Sequence, residues 1–275
     1  MRFAICNETF QGLPWKEACH GAAAAGYEGI EIAPFTLAED CRSLTGADRA
    51  RIRRTAAEHG LDIVGLHWLL VSPRGLSATS DDDSVRRATA LYLVALADLC
   101  GDLGGRIMVL GSPAQRRIPP GCTRERAEDR LLETVRPALD RAAARGVLLC
   151  LEPLPPPEAD LLLTLDDARR LLERLDHPAA RTIFDVKSAS AEGAPLHSLI
   201  RAHASRIAHV HANDANRRGP GFGCTDFRPI LGALRDIGYG GWVSVEVFDY
   251  TPDATTIAVE SLRHLRACLP PSAEA

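Results

Sequence analysis

The chain has 275 residues, of which 46% are hydrophobic and 25% charged, and its formal net charge is -4 at pH 7. This acidic balance gives no reason to expect a nucleic-acid partner or an anionic membrane, and no apolar run approaches the roughly 20 residues of a membrane span. The eight cysteines contain no C-x-x-C pair, and the N-terminus is too short in apolar length for a signal peptide, so we expect reduced thiols and a cytoplasmic location.

Short apolar segments alternate with helix-forming segments along the chain, and this alternation repeats eight times. Proline at position 14 suits the first turn of a helix, and glycines follow several helical segments. A proline at position 137 should kink or divide the fourth helix. The predicted strands are residues 3–6, 29–33, 62–66, 106–110, 147–151, 181–184, 207–211 and 242–245. The predicted helices are about 14–25, 47–59, 81–103, 123–145, 164–177, 195–203, 226–238 and 252–268.

Eight consecutive βα units without an antiparallel signal predict parallel strands joined by right-handed crossovers. The count of eight favours a closed (β/α)8 barrel, known as a TIM barrel, over an open doubly wound sheet. No G-x-G-x-x-G follows the first strand, which weakens the alternative of a dinucleotide-binding sheet. Because no linker interrupts the alternation, we expect one barrel domain over residues 1–275, with a frayed tail from about residue 270.

Four predicted strands end on a single ionisable residue: Glu152, Asp185, His211 and Glu246. These residues follow one another at roughly the 30-residue length of a βα unit, and the active sites of such barrels lie at this end of the strands. Three carboxylates on one rim would repel unless a cation neutralised them. The four residues therefore predict one divalent metal ion. Oxygen-rich ligation with one imidazole suits Mn²⁺, Mg²⁺ or Co²⁺ better than a structural zinc.

Other polar residues near these strand ends carry weaker signals. His209 points the same way as His211 but lies one layer deeper, which is typical of an interior residue or of support for a ligand. Glu8 and Glu31 end the first two strands, and nothing specific marks either. Five residues could contact a substrate, although solvated loops and helix caps use the same residue types: His67, Trp68, Glu158, Lys187 and Arg217.

Several motifs resemble one family, the sugar phosphate isomerases and epimerases with a xylose-isomerase-like barrel, and within it the ketose 3-epimerases of the tagatose/psicose type. The resemblance covers nearly the whole chain. The motifs that carry it are Leu151-Glu152-Pro153-Leu154, Phe184-Asp185-Val186, His209-Val210-His211 with Asn213-Asp214, Gly219 to Gly223 before Asp226-Phe227, and Gly241-Trp242 ahead of Glu246.

The resemblance implies that Glu152, Asp185, His211 and Glu246 hold the metal, with Mn²⁺ expected. It implies that Glu152 and Glu246 also form an acid/base pair. One of them abstracts the proton alpha to a metal-bound carbonyl, giving a cis-enediolate, and the other returns a proton on the opposite face. A metal-dependent isomerase or epimerase of a sugar or sugar-like ketone follows, with 3-epimerisation favoured. Residues matching Glu158 and Arg217 hydrogen-bond the substrate.

The chain departs from the epimerase pattern at two places, and both changes remove donors for a free sugar. Ser188 stands where the epimerases carry a histidine, and residues 155–157 are three prolines. These departures keep open a lyase on the same scaffold, either a keto-inositol dehydratase or a 3-keto-glycoside eliminase. A DNA abasic-site nuclease shares the barrel but needs three metals and more histidines.

The sequence also leaves the type of sugar and the oligomeric state open. We expect a small-molecule sugar partner, no nucleic acid and no membrane, and relatives of this kind often form homo-oligomers. A substrate phosphate would need cationic side chains near the strand ends. The candidates are Arg116, Arg117, Lys187, Arg217 and Arg218.

Overall fold

The computed structural model describes residues 1–269, and the frayed tail predicted from about residue 270 lies outside the described residues. Eight parallel strands pair in sequence order and close into a barrel because β1 also pairs with β8. The predicted (β/α)8 barrel is therefore confirmed. The strands are β1 (Arg2–Cys6), β2 (Gly29–Ile32), β3 (Asp62–Leu66), β4 (Ile107–Leu110), β5 (Leu148–Leu151), β6 (Ala180–Asp185), β7 (Ile207–Ala212) and β8 (Trp242–Val245).

Helices surround the barrel, and eight of them lie within a few residues of the predicted ones. They are α1 (Trp15–Ala25), α2 (Gly46–Glu58), α3 (Asp83–Leu103), α4 (Arg124–Arg145), α5 (Leu165–Leu175), α7 (Leu196–Ala202), α8 (Phe227–Asp236) and α9 (Ala254–Ala267). The additional α6 (Val186–Ser190) was not predicted, since five residues are too few to show a helical period. Asp185 caps it by accepting from the Ser188 backbone N–H at 2.6 Å. None of the helices in residues 1–269 is long and apolar enough to cross a membrane.

Helix α4 continues through Pro137, so this residue does not divide the helix, which was one of the two effects expected of it. The proline lacks an N–H, so the carbonyl of Glu133 loses its donor within the helix. Both residues lie on the exposed face, where water can take the place of that donor. The helix ends at Gly146, as predicted, and the φ of this glycine, 66°, is in the left-handed region that glycine adopts without strain.

The core has two parts. A large cluster joins the outward-facing strand residues to the helices, whereas a small one contains strand residues and lies inside the barrel. The small cluster consists of Ala4, Val64, Ile107, Val109, Cys150 and Ile183. Polar side chains fill the barrel beyond these residues, toward the carboxyl ends of the strands, and they position the candidate site.

Candidate metal centre and active site

The four predicted metal ligands meet at the carboxyl ends of β5 to β8. Glu152 and Glu246 directly follow their strands, and Asp185 and His211 lie in the last two positions of theirs. All four side chains are buried, and one ligand atom from each lies within 4.8 Å of the others. The structure thus brings together one imidazole and three carboxylates, a donor set that suits an oxygen-preferring divalent cation.

The orientation of His211 is the observation that tests whether these residues fit a metal. Its Nε2 lies 3.3 Å from both oxygens of Glu31, while its Nδ1 lies 3.1 Å from Glu246 Oε2 and 3.7 Å from Glu152 Oε1. Nδ1 and Glu246 Oε2 are both buried without a hydrogen-bond partner. If Nε2–H donates to Glu31, Nδ1 presents a lone pair beside that of Glu246. Two unpartnered lone pairs that converge in a buried place fit a metal ligand pair.

Glu31 is a residue whose importance the sequence did not reveal. It is fully buried inside the barrel, where it accepts from His209 Nε2 at 2.9 Å and faces His211. Burial by itself raises the pKa of the Glu31 carboxyl, but the charges and hydrogen bonds of His209 and His211 lower this pKa well below its usual range. The sequence of β2 does contain a signal for this position. Glu31 lies between two isoleucines, and because side chains alternate along a strand, Glu31 points into the barrel when the isoleucines face the helices.

Replacing Glu31 with glutamine is expected to weaken the affinity of the candidate metal centre for added Mn²⁺ by about 10- to 100-fold, the usual effect of removing a group that orients a histidine ligand. The amide can donate to His211 Nε2 and so favour the tautomer whose Nδ1 carries the proton. Titration calorimetry of Mn²⁺ binding measures this change. Glu17→Gln, at an exposed position of α1, is the matched control. Equal affinities in Glu31→Gln and in the control would contradict a positioning role.

The two glutamates of the site differ in their electrostatic surroundings. Burial raises the pKa of Glu152, with a further contribution from the nearby Glu246 carboxylate. Burial also acts to raise the pKa of Glu246, but His211 and His67 outweigh it and lower this pKa below its usual range. Two carboxyl groups whose pKa values are pushed apart are typical of an acid/base pair.

Asp185 is held by two hydrogen bonds at the start of α6. Asn213 Nδ2 donates to its Oδ2 at 2.6 Å, and the backbone N–H of Ser188 donates to its Oδ1 at 2.6 Å. The Asn213 side chain in turn accepts from the backbone N–H of Lys187 at 2.8 Å. Asn213 therefore joins α6 to the end of β7 and orients a candidate ligand, although no spacing in the sequence singled it out for this role.

A cavity of about 410 Å³ opens above the four residues. Glu152 and Glu246 lie in its wall, together with the predicted residues Trp68, Glu158 and Arg217. The rest of its lining is mostly apolar and includes Val71, Pro113, Ala114, Leu154 and Phe248. Such a mixture of apolar walls and a few convergent polar groups is typical of small-molecule sites.

Trp68 and His67 both contact Glu246. The Trp68 indole N–H donates to Glu246 Oε1 at 3.0 Å, and His67 Nδ1 lies 3.2 Å from the same oxygen. Trp68 is one of the few residues other than glycine with positive φ, at 53°. In residues 1–269, His67 is buried and is not among the residues that line the cavity. It therefore contacts Glu246 from the barrel interior and not from the cavity.

Lys187 is likewise buried and absent from the residues in 1–269 that line this cavity. Its ammonium pairs with Glu158 at 2.7 and 2.9 Å and lies 4.7 Å from the centroid of the Phe248 ring. Lys187, which the sequence suggested as a substrate contact, is thus paired with the Glu158 carboxylate. Lys187 therefore positions a residue of the cavity wall and does not itself form that wall.

Arg116, a candidate for binding a substrate phosphate, is used elsewhere. Its guanidinium is buried and donates to the backbone carbonyls of Gly111 at 2.6 Å and Glu152 at 2.8 Å, and also to those of Leu161 and Leu162. These bonds hold the loop after β5 against the loop after β4. The side chain stabilises the backbone at Glu152 and is unavailable to a ligand.

The model of the family described as xylose isomerase-like TIM barrel matches residues 19–268. Fructoselysine 3-epimerase of Escherichia coli O157:H7 is 24% identical over 270 residues, which are 94% of this chain and 95% of that relative. L-ribulose 3-epimerase of Methylomonas sp. (strain DH-1) is 27% identical over 249 residues, 85% of this chain and 78% of that relative.

The solved structure of apo 3-keto-D-glucoside 4-epimerase from E. coli shares the fold. It superposes with a TM-score of 0.85 at 22% identity, and the match covers 98% of this chain and 100% of that one.

Proposed function

Because the chain belongs to the xylose isomerase-like TIM barrel family, we propose that it is a sugar epimerase that inverts the carbon next to a ketose carbonyl, with 3-epimerisation as its reaction. The observation that carries this proposal is the pair Glu152 and Glu246, which line one cavity and share a cluster of four metal-ligand residues. The relatives named 3-epimerases support it, since they match most of the chain.

The proposed reaction depends on two carboxylates that exchange protons with one carbon. One glutamate takes the proton from the carbon next to the carbonyl, and the other gives a proton to the opposite face, which inverts the configuration. Because the reaction runs in both directions, Glu152 and Glu246 each act as the base for one epimer. When bound by Glu152, Asp185, His211 and Glu246, a divalent cation supplies a Lewis acid that polarises the carbonyl, and we propose Mn²⁺.

Other side chains prepare the two glutamates for this task. The Trp68 N–H and His67 hold the Glu246 carboxylate in place, and the Trp68 ring stacks on Phe248 with centroids 6.2 Å apart. These rings form an apolar wall that limits the access of water to the reacting carbon. Glu158 and Arg217 are proposed to bind substrate hydroxyls from the cavity rim.

Deuterium exchange tests the reaction directly. The Mn²⁺-loaded protein is incubated in D₂O with a panel of free ketoses, and deuterium incorporation is followed by NMR. We expect deuterium at C3 together with a new diastereomer. Deuterium at C1 with formation of an aldose would indicate an isomerase instead, and an unsaturated ketone absorbing in the near ultraviolet would indicate the lyase alternative. Either outcome, or no exchange with any ketose, contradicts 3-epimerisation of a free ketose.

Two further expectations stay predictions: the cytoplasmic location and a homo-oligomeric state. Sedimentation velocity of the purified chain measures the second of these.

A further inference from the structure

The loop that follows β4 forms part of the cavity wall, and the function proposed above assigns no role to it. It consists of Gly111, Ser112 and a single 3-10 turn at Pro113–Arg116. Ser112 and Gln115 line the same cavity as Glu152. Because β4 pairs with β5, this loop lies next to Glu152, which follows β5. A polar side chain in the loop can therefore reach a substrate that Glu152 contacts.

The backbone of this loop packs closely against the Glu152 carboxylate. A Cβ atom at Gly111 would overlap Glu152 Oε2, so the carboxylate lies against the Gly111 α-carbon. The buried Arg116 guanidinium donates to the Gly111 carbonyl at 2.6 Å and to the Glu152 carbonyl at 2.8 Å. These contacts join the loop after β4 to the loop after β5 and leave Ser112 little freedom to move relative to Glu152.

Ser112 itself has an unfavourable backbone conformation. Its φ of 36° and ψ of 59° are in the left-handed region, which residues other than glycine rarely adopt. Residues held in such conformations cluster at binding and catalytic sites, where the surrounding structure compensates for the cost. Here the Gln115 backbone N–H donates to the Ser112 carbonyl at 3.0 Å and helps to hold the turn. The strained conformation therefore indicates a functional role for Ser112.

The Ser112 hydroxyl has a proton without an acceptor. Ser112 is only 6% exposed, and its Oγ accepts from the Leu70 backbone N–H at 3.1 Å. A serine hydroxyl also carries one proton to donate, and no acceptor for this proton is present among residues 1–269. A buried donor without an acceptor is unfavourable until a ligand supplies one. Since Ser112 lines the cavity, an oxygen atom of the substrate is the acceptor that fits.

Ser112 provides a donor in place of one that this chain lacks. Ser188 stands at the position of a histidine in the epimerases, but it is buried and is absent from the residues in 1–269 that line the cavity. The indole N–H of Trp68, another donor in the wall, is already used by Glu246. The Ser112 hydroxyl is left free by its neighbours. Because the Leu70 N–H holds its oxygen in place, a hydrogen bond to substrate costs little side-chain entropy.

The order of the strands around the barrel indicates which substrate oxygen meets this donor. Asp185 and His211, on β6 and β7, are two of the proposed ligands of the cation that polarises the carbonyl, and β4 lies on the other side of β5. In 3-epimerisation the carbon beside Glu152 is C3, whose neighbours are the carbonyl carbon C2 and the carbon C4. With C2 on the side of β6 and β7, the C4 hydroxyl lies toward the loop after β4.

We propose that Ser112 is a specificity-determining residue, whose hydroxyl donates a hydrogen bond to the C4 hydroxyl of the ketose. This contact holds the carbon chain on the side of C3 away from the carbonyl, and so keeps C3 beside Glu152. The proposal rests on the proposed epimerase function and deepens it, because it identifies the substrates as ketoses with a free hydroxyl at C4.

Three ketoses test this contact: D-fructose, 4-deoxy-D-fructose and 1-deoxy-D-fructose. For each, kcat/KM for deuterium entry at C3 is measured with wild-type protein and with Ser112→Ala, both loaded with Mn²⁺. The variant should lose about tenfold for D-fructose and 1-deoxy-D-fructose, the scale of one hydrogen bond, and stay within about twofold of wild type for 4-deoxy-D-fructose. Comparing variant with wild type on one ketose cancels differences in open-chain content between the ketoses.

The same ketoses distinguish a substrate contact from a structural role of the side chain. Ser112→Ala also removes the acceptor of the Leu70 N–H, and damage from that loss would lower kcat/KM equally for all three ketoses. An equal loss, or a loss that vanishes with 1-deoxy-D-fructose instead, overturns the inference. If the alanine variant does not fold, Ser112→Gly takes its place, because glycine adopts a φ of 36° without strain.

Ser80→Ala is the matched control. The Ser80 Oγ likewise accepts from a backbone N–H, that of Asp82 at 3.1 Å, but Ser80 is absent from the residues in 1–269 that line the cavity. The control should keep the wild-type kcat/KM for all three ketoses.

Binding measured by saturation-transfer NMR separates this inference from the epimerase proposal. The affinities for D-fructose and 4-deoxy-D-fructose are compared in wild type and Ser112→Ala. A loss of affinity in the variant for D-fructose but not for the 4-deoxy compound, without deuterium exchange of any ketose, supports the contact and overturns the reaction. Exchange of D-fructose with equal losses for the three ketoses overturns the inference and leaves the reaction standing. If no ketose binds or exchanges, both are overturned.

Discussion

Replacing Glu152 or Glu246 with glutamine is expected to lower kcat for epimerisation by about 10²- to 10⁴-fold, the range that a positioned acid/base group contributes. Glutamine keeps the shape of the side chain but cannot accept the proton. Each glutamate serves one face of the reacting carbon in our proposal, so each variant should lose inversion in both directions.

The two variants should nevertheless differ in deuterium exchange. The glutamate that remains in each variant still faces one epimer, from which it can remove and return a proton without inversion. Glu152→Gln and Glu246→Gln should therefore retain slow exchange on opposite epimers. NMR of each epimer incubated separately in D₂O measures this difference.

Glu125→Gln, at an exposed position of α4, is the matched control and should behave as wild type. The Mn²⁺ content of Glu152→Gln and of Glu246→Gln must also be measured, because each of these glutamates is a proposed metal ligand. If the two variants, loaded with metal, exchanged the same epimer, the two-carboxylate mechanism would be wrong.

Removal of divalent metal by chelation is expected to abolish activity and to lower the thermal unfolding midpoint by several degrees. Three buried carboxylates repel one another in a medium of low dielectric, and a bound cation turns that repulsion into attraction. At a Mn²⁺ concentration of 100 times its Kd, binding adds about 2.7 kcal/mol to the free energy of unfolding. Scanning calorimetry with and without Mn²⁺ measures the shift, and readdition of Mn²⁺, Mg²⁺ or Co²⁺ ranks the metals by restored activity.

Asp185→Asn provides the matched test of this second prediction. The variant keeps the side-chain size but removes one negative ligand, so the Mn²⁺-dependent rise in the unfolding midpoint should largely disappear. Asp140→Asn, at an exposed position of α4, is the control and should keep the full rise. An unfolding midpoint that does not respond to Mn²⁺ in the wild-type protein would contradict the proposed metal site.

Local sequence patterns were sufficient to predict the strands and helices and the class of protein. Apolar runs that follow a glycine turn and end at a polar residue predicted β3 and β8 at their observed limits, because strand length and turn chemistry are local properties. The eightfold alternation and the motifs around Glu152 and His211 predicted the barrel and an enzyme of the sugar isomerase and epimerase class, and both predictions are confirmed.

The four candidate ligands could be named from the sequence because each ends its own strand. Parallel strands of a barrel bring their carboxyl ends to one face, so a position along the strand already predicts a position in space. For Glu152 and Glu246 this argument needed no knowledge of side-chain contacts.

Only the tertiary structure decided how those ligands are supported. Glu31 and His209 are 178 positions apart in sequence, and they meet because the barrel closes and turns both side chains inward. The same holds for Glu8 and His67, 59 positions apart, and for Trp68 and Glu246, 178 positions apart. Periodicity shows which face of an element a residue occupies, but the partner across the barrel depends on strand register and closure, which no local pattern encodes.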